Sequence, residues 1–224
     1  MENTRELIEI ALGHAARGWF IFPCSREKRP LTPHGFKDAT TDSNQITAWF
    51  TQYPGALIGI ACAKSGFWVL DIDPPTGFVS LDLLVEANSA EKIVPGITQK
   101  TPRGGAHYLY NLPQEVHIPN NAGQLMPGLD LRSDGYICTG NGYTWLEGRS
   151  PDEHQLTDAP AWLIDCIAAL HGQKAPMPLR NSTKTSVVYI NVSNTDDPDT
   201  CLSFKAVLQV HDGNRNVIVS CSQP

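Results

Sequence analysis

The sequence predicts a mixed α/β (α+β) domain, and three observations carry that prediction. Short apolar runs rich in β-branched and aromatic residues, WFIFP at 19–23, LIGIACA at 57–63 and FWVLDID at 67–73, are bounded by Gly, Pro and Ser, as strands are. Segments with apolar residues at helical spacing alternate with them. With 41% hydrophobic and 18% charged residues over 224 positions, the chain can bury a sizeable core and is too apolar to stay disordered.

Taken in order, Asn3 followed by Glu6 resembles a capping box, and Leu7, Ile10, Ala11 and His14 fall on one helical face that Gly18 ends. The strand at 19–23 leads into a long loop rich in Pro, Gly and cations. Asp42 or Ser43 caps a second helix through about Gln52, with Ile46, Trp49 and Phe50 apolar, and Tyr53-Pro54-Gly55 breaks it. The runs 57–63 and 67–73, joined by Lys64-Ser65-Gly66, read as a tight hairpin. Residues 80–88 have helical spacing, 96–112 read as strand, Gly-rich turn and strand, and 128–148 as strand, turn and hairpin. A helix around Ala161–Leu170 closes a body that should end near residue 172. From 173 to 224 a polar, proline-bearing linker leads to a tail of unknown role, with strand candidates at 187–193 and 204–210 and an ending, VIVSCSQP, that reads as cut from something longer.

Several function classes are disfavoured at once. No window approaches a membrane span, and the acidic start lacks the basic region of an export signal, so a cytoplasmic protein with no membrane partner is expected. The six cysteines show no C-x-x-C and no close pairing with histidine, so no zinc is expected, and a reducing compartment suits buried free thiols at Cys62 and Cys138. A formal charge of −6 argues against a uniformly basic coat for nucleic acid but leaves room for a local basic groove. There is no G-x-x-x-x-G-K-[ST] loop to drive ATP hydrolysis.

The chemistry concentrates in WVLDIDPP, residues 68–75. Side chains two apart on a strand share a face, so Asp71 and Asp73 project together, and paired carboxylates repel unless a cation joins them. Mg²⁺ and Mn²⁺ prefer such hard oxygen donors, commonly with substrate phosphates completing the shell. Exposed aspartates at an ordinary strand end give the same two letters. Other features raise the metal reading: His107 follows a glycine pair in TPRGGAHYLY, Asp130 and Arg132 lie in GLDLRSDG, and Lys28 and Arg103 put cations on loops that could face polyphosphate. Singly, each has a bland explanation as a satisfied strand histidine, a turn carboxylate or a solvated basic loop.

Asp71-Ile72-Asp73 at a strand end, then Gly105-Ala106-His107, then Asp130 in GLDLRSDGYI, resembles the N-terminal catalytic domain of bifunctional DNA primase/polymerases, within the archaeo-eukaryotic primase superfamily. KRPL, FKDATTD, IGIACAKSGFWVLDID and GNGYTWLEG extend the resemblance over roughly residues 5–170. It implies a two-module catalytic core, one part with an RNA-recognition-type (RRM-like) sheet, and an active site in the cleft between modules. By position it implies Asp71, Asp73 and Asp130 as ligands of two Mg²⁺ or Mn²⁺ ions, and His107 as a contact to the phosphates of the incoming nucleotide. Lys28, Arg103 and Arg132 are placed as phosphate or template contacts mainly from charge and position. The implied reaction is template-dependent nucleotidyl transfer from (deoxy)ribonucleoside triphosphates to a DNA primer or a first nucleotide. A replicative helicase, in cis or in trans, is the implied partner. A non-catalytic nucleic-acid-binding replication module would keep the same fold. A D-x-D-x-[TV] phosphatase is disfavoured because Pro75 stands where the motif needs Thr or Val. A D-x-D glycosyltransferase leaves His107 and Asp130 unexplained.

Overall fold

The structure, a computed structural model, describes residues 4–88, 93, 96–170 and 172, together with the backbone of 183–194, 197–211 and 214–220. Helix α1 (Thr4–Ala16) buries Leu7, Ala11 and His14 of the predicted stripe and Ala15 besides, with Ile10 half-buried, while the Asn3 cap lies outside the described residues. Strand β1 (Ile21–Cys24) follows, then a loop with one turn of 3₁₀ helix at Gly35–Asp38. Asp42 caps α2 (Ser43–Gln52) by accepting from the backbone N–H groups of Asn44 at 2.8 Å and Gln45 at 3.2 Å, a contact worth about 1 kcal/mol.

Strands β2 (Leu57–Ala61) and β3 (Phe67–Ile72) do not form the expected hairpin. A 3₁₀ turn at Ala63–Ser65, ended by Gly66 at φ 80°, carries the chain from one sheet to another. Both strands are buried along their whole length, so each takes a central place between two partners, which a two-stranded ribbon could not provide. β2 lies between β1 and β8 (Tyr136–Thr139) in a three-stranded antiparallel sheet.

A six-stranded antiparallel sheet has the order β6-β7-β3-β5-β4-β9, with β4 (Ile97–Lys100), β5 (Ala106–Asn111), β6 (Asn121–Met126), β7 (Leu129–Arg132) and β9 (Thr144–Trp145). β4 and β5 form the expected hairpin. The hairpin read at 128–148 is instead distributed: β7 joins the large sheet, β8 the small one, and β9 pairs with β4. Helix α3 (Thr76–Ala87) starts four residues earlier than its apolar spacing suggested, directly after Pro74-Pro75, and α4 (Ala161–Leu170) matches its prediction.

The alternation of β3 divides the core. Trp68, Leu70 and Ile72 pack with Leu81 and Leu84 of α3 and Leu163 and Ile167 of α4. Phe67 and Val69 point the other way, into a second core with Ile58 and Ile60 of the small sheet, Leu7 of α1 and Ile46 and Phe50 of α2. Asp71 belongs to this second face by the same two-residue period. Beyond α4, β10 (Thr183–Asn194), β11 (Asp197–His211) and β12 (Asn214–Ser220) make a separate three-stranded antiparallel sheet that contains both strand candidates of the tail.

Candidate metal centre and cleft

One transverse row of the six-stranded sheet carries the polar chemistry. Asp71 on β3 stands opposite Asp130 on β7 and opposite His107 on β5, and His107 in turn stands opposite Gln99 on β4. Directly opposed residues of neighbouring antiparallel strands share a face, so four side chains meet from four strands. Asp73 follows one step beyond the end of β3. Its backbone N–H donates to Gly128 O at 2.8 Å, tying the segment to the turn that opens β7. The approach is close: a Cβ on Gly77 would sit 2.4 Å from Gly128 O, and Gly128 itself has φ 74°. Gly105 has a similar part, since a Cβ there would meet Ile72 O at 2.4 Å. Glycine at these positions lets the strand ends bearing Asp73, Asp130 and His107 converge.

Asp71, Asp73 and Asp130 each offer an oxygen within 4.8 Å of the others, and they run from buried through half-buried to exposed. The donor set is entirely carboxylate and open on one side, which fits Mg²⁺ or Mn²⁺ and leaves room for phosphate or water oxygens. Arg132 is the built-in counter-charge. Its Nε donates to Asp71 Oδ2 at 2.8 Å and its Nη2 to Asp130 Oδ2 at 3.0 Å. Asp130 Oδ1 also accepts from the Gly123 N–H at 2.9 Å. Burial nonetheless raises the Asp130 pKa above its ordinary value against the opposing pull of Arg132, with Asp71 and Asp73 adding to the rise.

His107 is 4% exposed, and its Nε2 stands 3.5 Å from Asp71 Oδ1. Burial lowers its pKa to about 4, with Asp71 opposing and Arg132 and Lys28 reinforcing, so the ring is neutral at pH 7. Its Nδ1 lies 2.9 Å from Gln99 Oε1, and Tyr143 stacks on it with ring centroids 5.9 Å apart.

A cleft of two joined lobes opens over this row. One, of about 330 Å³, is lined by Lys28, Phe36, Tyr136 and Cys138 besides Asp71 and His107 of the row. The other, of about 460 Å³, adds Arg26, Thr101, Arg103 and Asn141. Asp71, His107, Arg132, Lys28 and Tyr143 border both lobes. Lys28 holds φ 64°, a backbone region costly for a side chain with a Cβ, and the Tyr136 hydroxyl pins the turn by donating to Lys28 O at 2.8 Å.

All seven residues singled out in the sequence thus line or flank one cleft. Arg132, expected among the phosphate contacts, has two of its nitrogens engaged by the carboxylates. Arg26, Gln99, Thr139 and Tyr143 escaped the sequence reading. Arg26 lay within the recognised cationic loop, and Gln99 was within reach through the β4–β5 hairpin register, which sets it against His107. Tyr143 lay within the GNGYTWLEG segment without being singled out, and Thr139, whose Oγ1 accepts from Gln99 Nε2 at 2.7 Å, carried no local signal.

The family described as Prim-Pol, bifunctional DNA primase/polymerase, N-terminal, matches residues 11–162, a span that includes every residue of the row and both lobes. No curated protein matches the chain.

Proposed function

From the premise that the chain belongs to the bifunctional DNA primase/polymerase N-terminal family, we propose that it is a template-dependent nucleotidyltransferase that extends, and can begin, nucleic-acid strands. The observation that carries the proposal is the convergence of Asp71, Asp73 and Asp130 within 4.8 Å beside His107, in a cleft with room for a nucleoside triphosphate. On the same reading, residues 1–172 are the catalytic unit and 173–224 a separate C-terminal segment. The six-stranded sheet is then the RRM-like module, and the three-stranded sheet with α1 and α2 the second.

The three carboxylates would hold two Mg²⁺ or Mn²⁺ ions. When bound, these supply Lewis-acid polarisation of phosphoryl oxygens and lower the pKa of the attacking hydroxyl. The chain's own residues set up the rest. Arg26, Lys28 and Arg103 line the cleft as fixed cations for a polyphosphate, where bidentate guanidinium contacts orient as well as attract. His107, held from behind, turns Nε2 to the cleft, where the negative charge of a bound phosphate favours the protonated ring and Nε2–H can donate to a phosphate oxygen. Phe36 and Tyr136 offer ring faces of the kind a nucleobase stacks on. Positioning and preorganised charge, more than covalent chemistry, would supply the rate.

The test is primer extension with Mg²⁺ or Mn²⁺, comparing the intact chain with Asp71→Ala. Extension by the intact protein and its loss in the variant are expected. An intact protein that binds nucleotide yet extends nothing in either metal, while primed DNA binding survives the substitution, would instead leave a nucleic-acid-binding module of the same fold.

A further inference from the structure

Behind His107 lies a buried polar relay that joins the two sheets. Gln99 is fully buried, Thr139 is 3% exposed, and the amide lies between the hydroxyl and the imidazole. Gln99 Nε2 donates to Thr139 Oγ1 at 2.7 Å, which turns Gln99 Oε1 toward His107 Nδ1 at 2.9 Å. Thr139 ends β8 of the small sheet, whereas Gln99 and His107 belong to the large one. The segment after Thr139 returns to the same ring: Tyr143 N–H donates to Gly140 O at 2.7 Å, and this turn sets the Tyr143 ring against His107.

Burying a primary amide without partners costs several kcal/mol by transfer estimates, so a fully enclosed glutamine at a sheet centre needs its hydrogen bonds. Here one partner is on another sheet and the other is in the row that includes Asp71. An amide oxygen can only accept, so Nδ1 must carry a proton whatever the charge of the ring, and Nε2 is the nitrogen left for the cleft. We propose that Gln99 and Thr139 are positioning residues of the nucleotide site. They set the tautomer and ring plane of His107, and they make that setting depend on the docking of the small sheet against the large one. Neither residue need touch the substrate; both act through His107. The inference rests on reading His107 as a phosphate contact, and its first test does not require activity.

That test is the nitrogen NMR signature of the His107 ring in the metal-free protein at pH 7.5. The wild type should show the Nδ1-protonated tautomer, and Gln99→Met should lose it. A wild-type ring protonated on Nε2, or a Gln99→Met spectrum unchanged from wild type, overturns the proposal whether or not the protein extends primers. Should Gln99→Met fail to fold, Thr139→Val removes only the hydroxyl end of the relay and keeps the side-chain shape, and Thr139→Ser restores the hydroxyl. In primer extension, Thr139→Val should raise the nucleotide KM about tenfold with kcat within about twofold, the size of effect typical of lost outer-shell partners, and Thr139→Ser should return it close to wild type. If Thr139→Val lowers stability but leaves KM unchanged for the folded protein, the relay is structural only. A wild type without extension, but with the expected tautomer, would sink the functional reading and leave the positioning of His107 standing.

Discussion

Arg132 is the group whose removal most directly interrogates the carboxylate centre. Its two hydrogen bonds, 2.8 Å to Asp71 and 3.0 Å to Asp130, join a guanidinium side chain that is 40% exposed to carboxylates that are 9% and 18% exposed. Breaking a fully buried ion pair costs about 3–5 kcal/mol, and an exposed pair is worth about 0–1 kcal/mol. This geometry lies between, so Arg132→Met should lose about 2 kcal/mol when metal is chelated, mostly because Asp71 and Asp130 are left facing Asp73 without compensation. A divalent ion replaces the missing charge, so in saturating Mg²⁺ the loss should shrink to about 1 kcal/mol or less. By linkage, the variant must then bind Mg²⁺ more tightly than wild type, by roughly fivefold per kcal/mol recovered. Urea unfolding of both proteins, with chelator and with a Mg²⁺ series, measures all four states of this cycle. An equal destabilisation with and without Mg²⁺ would mean that Arg132 and the metal do not share the carboxylates, and the assignment of the centre would fall with it.

His14 is 3% exposed, stacks on Trp19 and has no hydrogen-bond partner at either ring nitrogen among the described residues; burial, then Arg17, lowers its pKa to about 4. Because the unfolded value near 6.5 is higher, its contribution to stability is complete above pH 6.5 and is lost as pH falls toward 4. That gap is worth about 3 kcal/mol, so urea unfolding of His14→Leu should vary less between pH 7.5 and 4.5 by about that amount. His107 titrates in both proteins and cancels in the difference; parallel pH profiles would count against the assignment. Two helical glycines should respond oppositely to alanine. Gly13→Ala, whose Cβ meets only Arg17 Nη1 at 3.5 Å, should gain about 0.5–1 kcal/mol, whereas Gly77→Ala, facing Gly128 O at 2.4 Å, should lose about 1–3 kcal/mol and weaken Mg²⁺ binding, both read by thermal unfolding with and without metal. Lys28→Asn should hold or slightly raise the melting temperature, since Asn tolerates φ 64° better, while nucleotide binding measured by calorimetry weakens several-fold; unchanged binding would remove Lys28 from the phosphate contacts.

What the sequence revealed, and what it concealed, follows from the range of the forces involved. The apolar run of β3 was readable because burial on both faces leaves no polar alternation to confuse it. Its partners were not, because Lys64-Ser65-Gly66 is compatible with a hairpin turn and with a crossing between sheets. Only the demand of β2 and β3 for two neighbours each decides between them, and that is a property of distant segments. The carboxylates were legible because clustered acids have few uses, and the spacing of Asp71, Asp73, His107 and Asp130 constrained them together. Arg132 was seen as a cation, but no pattern said that it faces acids of its own chain. Gln99 was invisible for the opposite reason, since an amide in a strand is ordinary until its burial is known.

The placement of charge in the cleft follows from where the second core stops. Along one face of β3, Phe67 and Val69 are sealed by the small sheet, α1 and α2, and the next two positions on that face are Asp71 and Asp73. The carboxylates therefore begin where the apolar cover ends, with Asp71 still buried and Asp73 in solvent. A centre in that position gains strength from the low dielectric behind it and stays reachable from the front. With His107 uncharged, one guanidinium faces three carboxylates, so the floor of the cleft is anionic and suited to divalent cations. Arg26, Lys28 and Arg103 stand on loops above it, where they would meet the phosphates that such cations bring. A second positive charge in the floor beside Arg132 would compete with the metal; if positive charge were absent from the loops, a metal-bound polyphosphate would lack its outer contacts. Arg132 apart, the separation of acid on the sheet from base on the loops thus accounts for both requirements at once, and under the proposed function it explains how a chain with a formal charge of −6 can still offer a site for an anionic substrate.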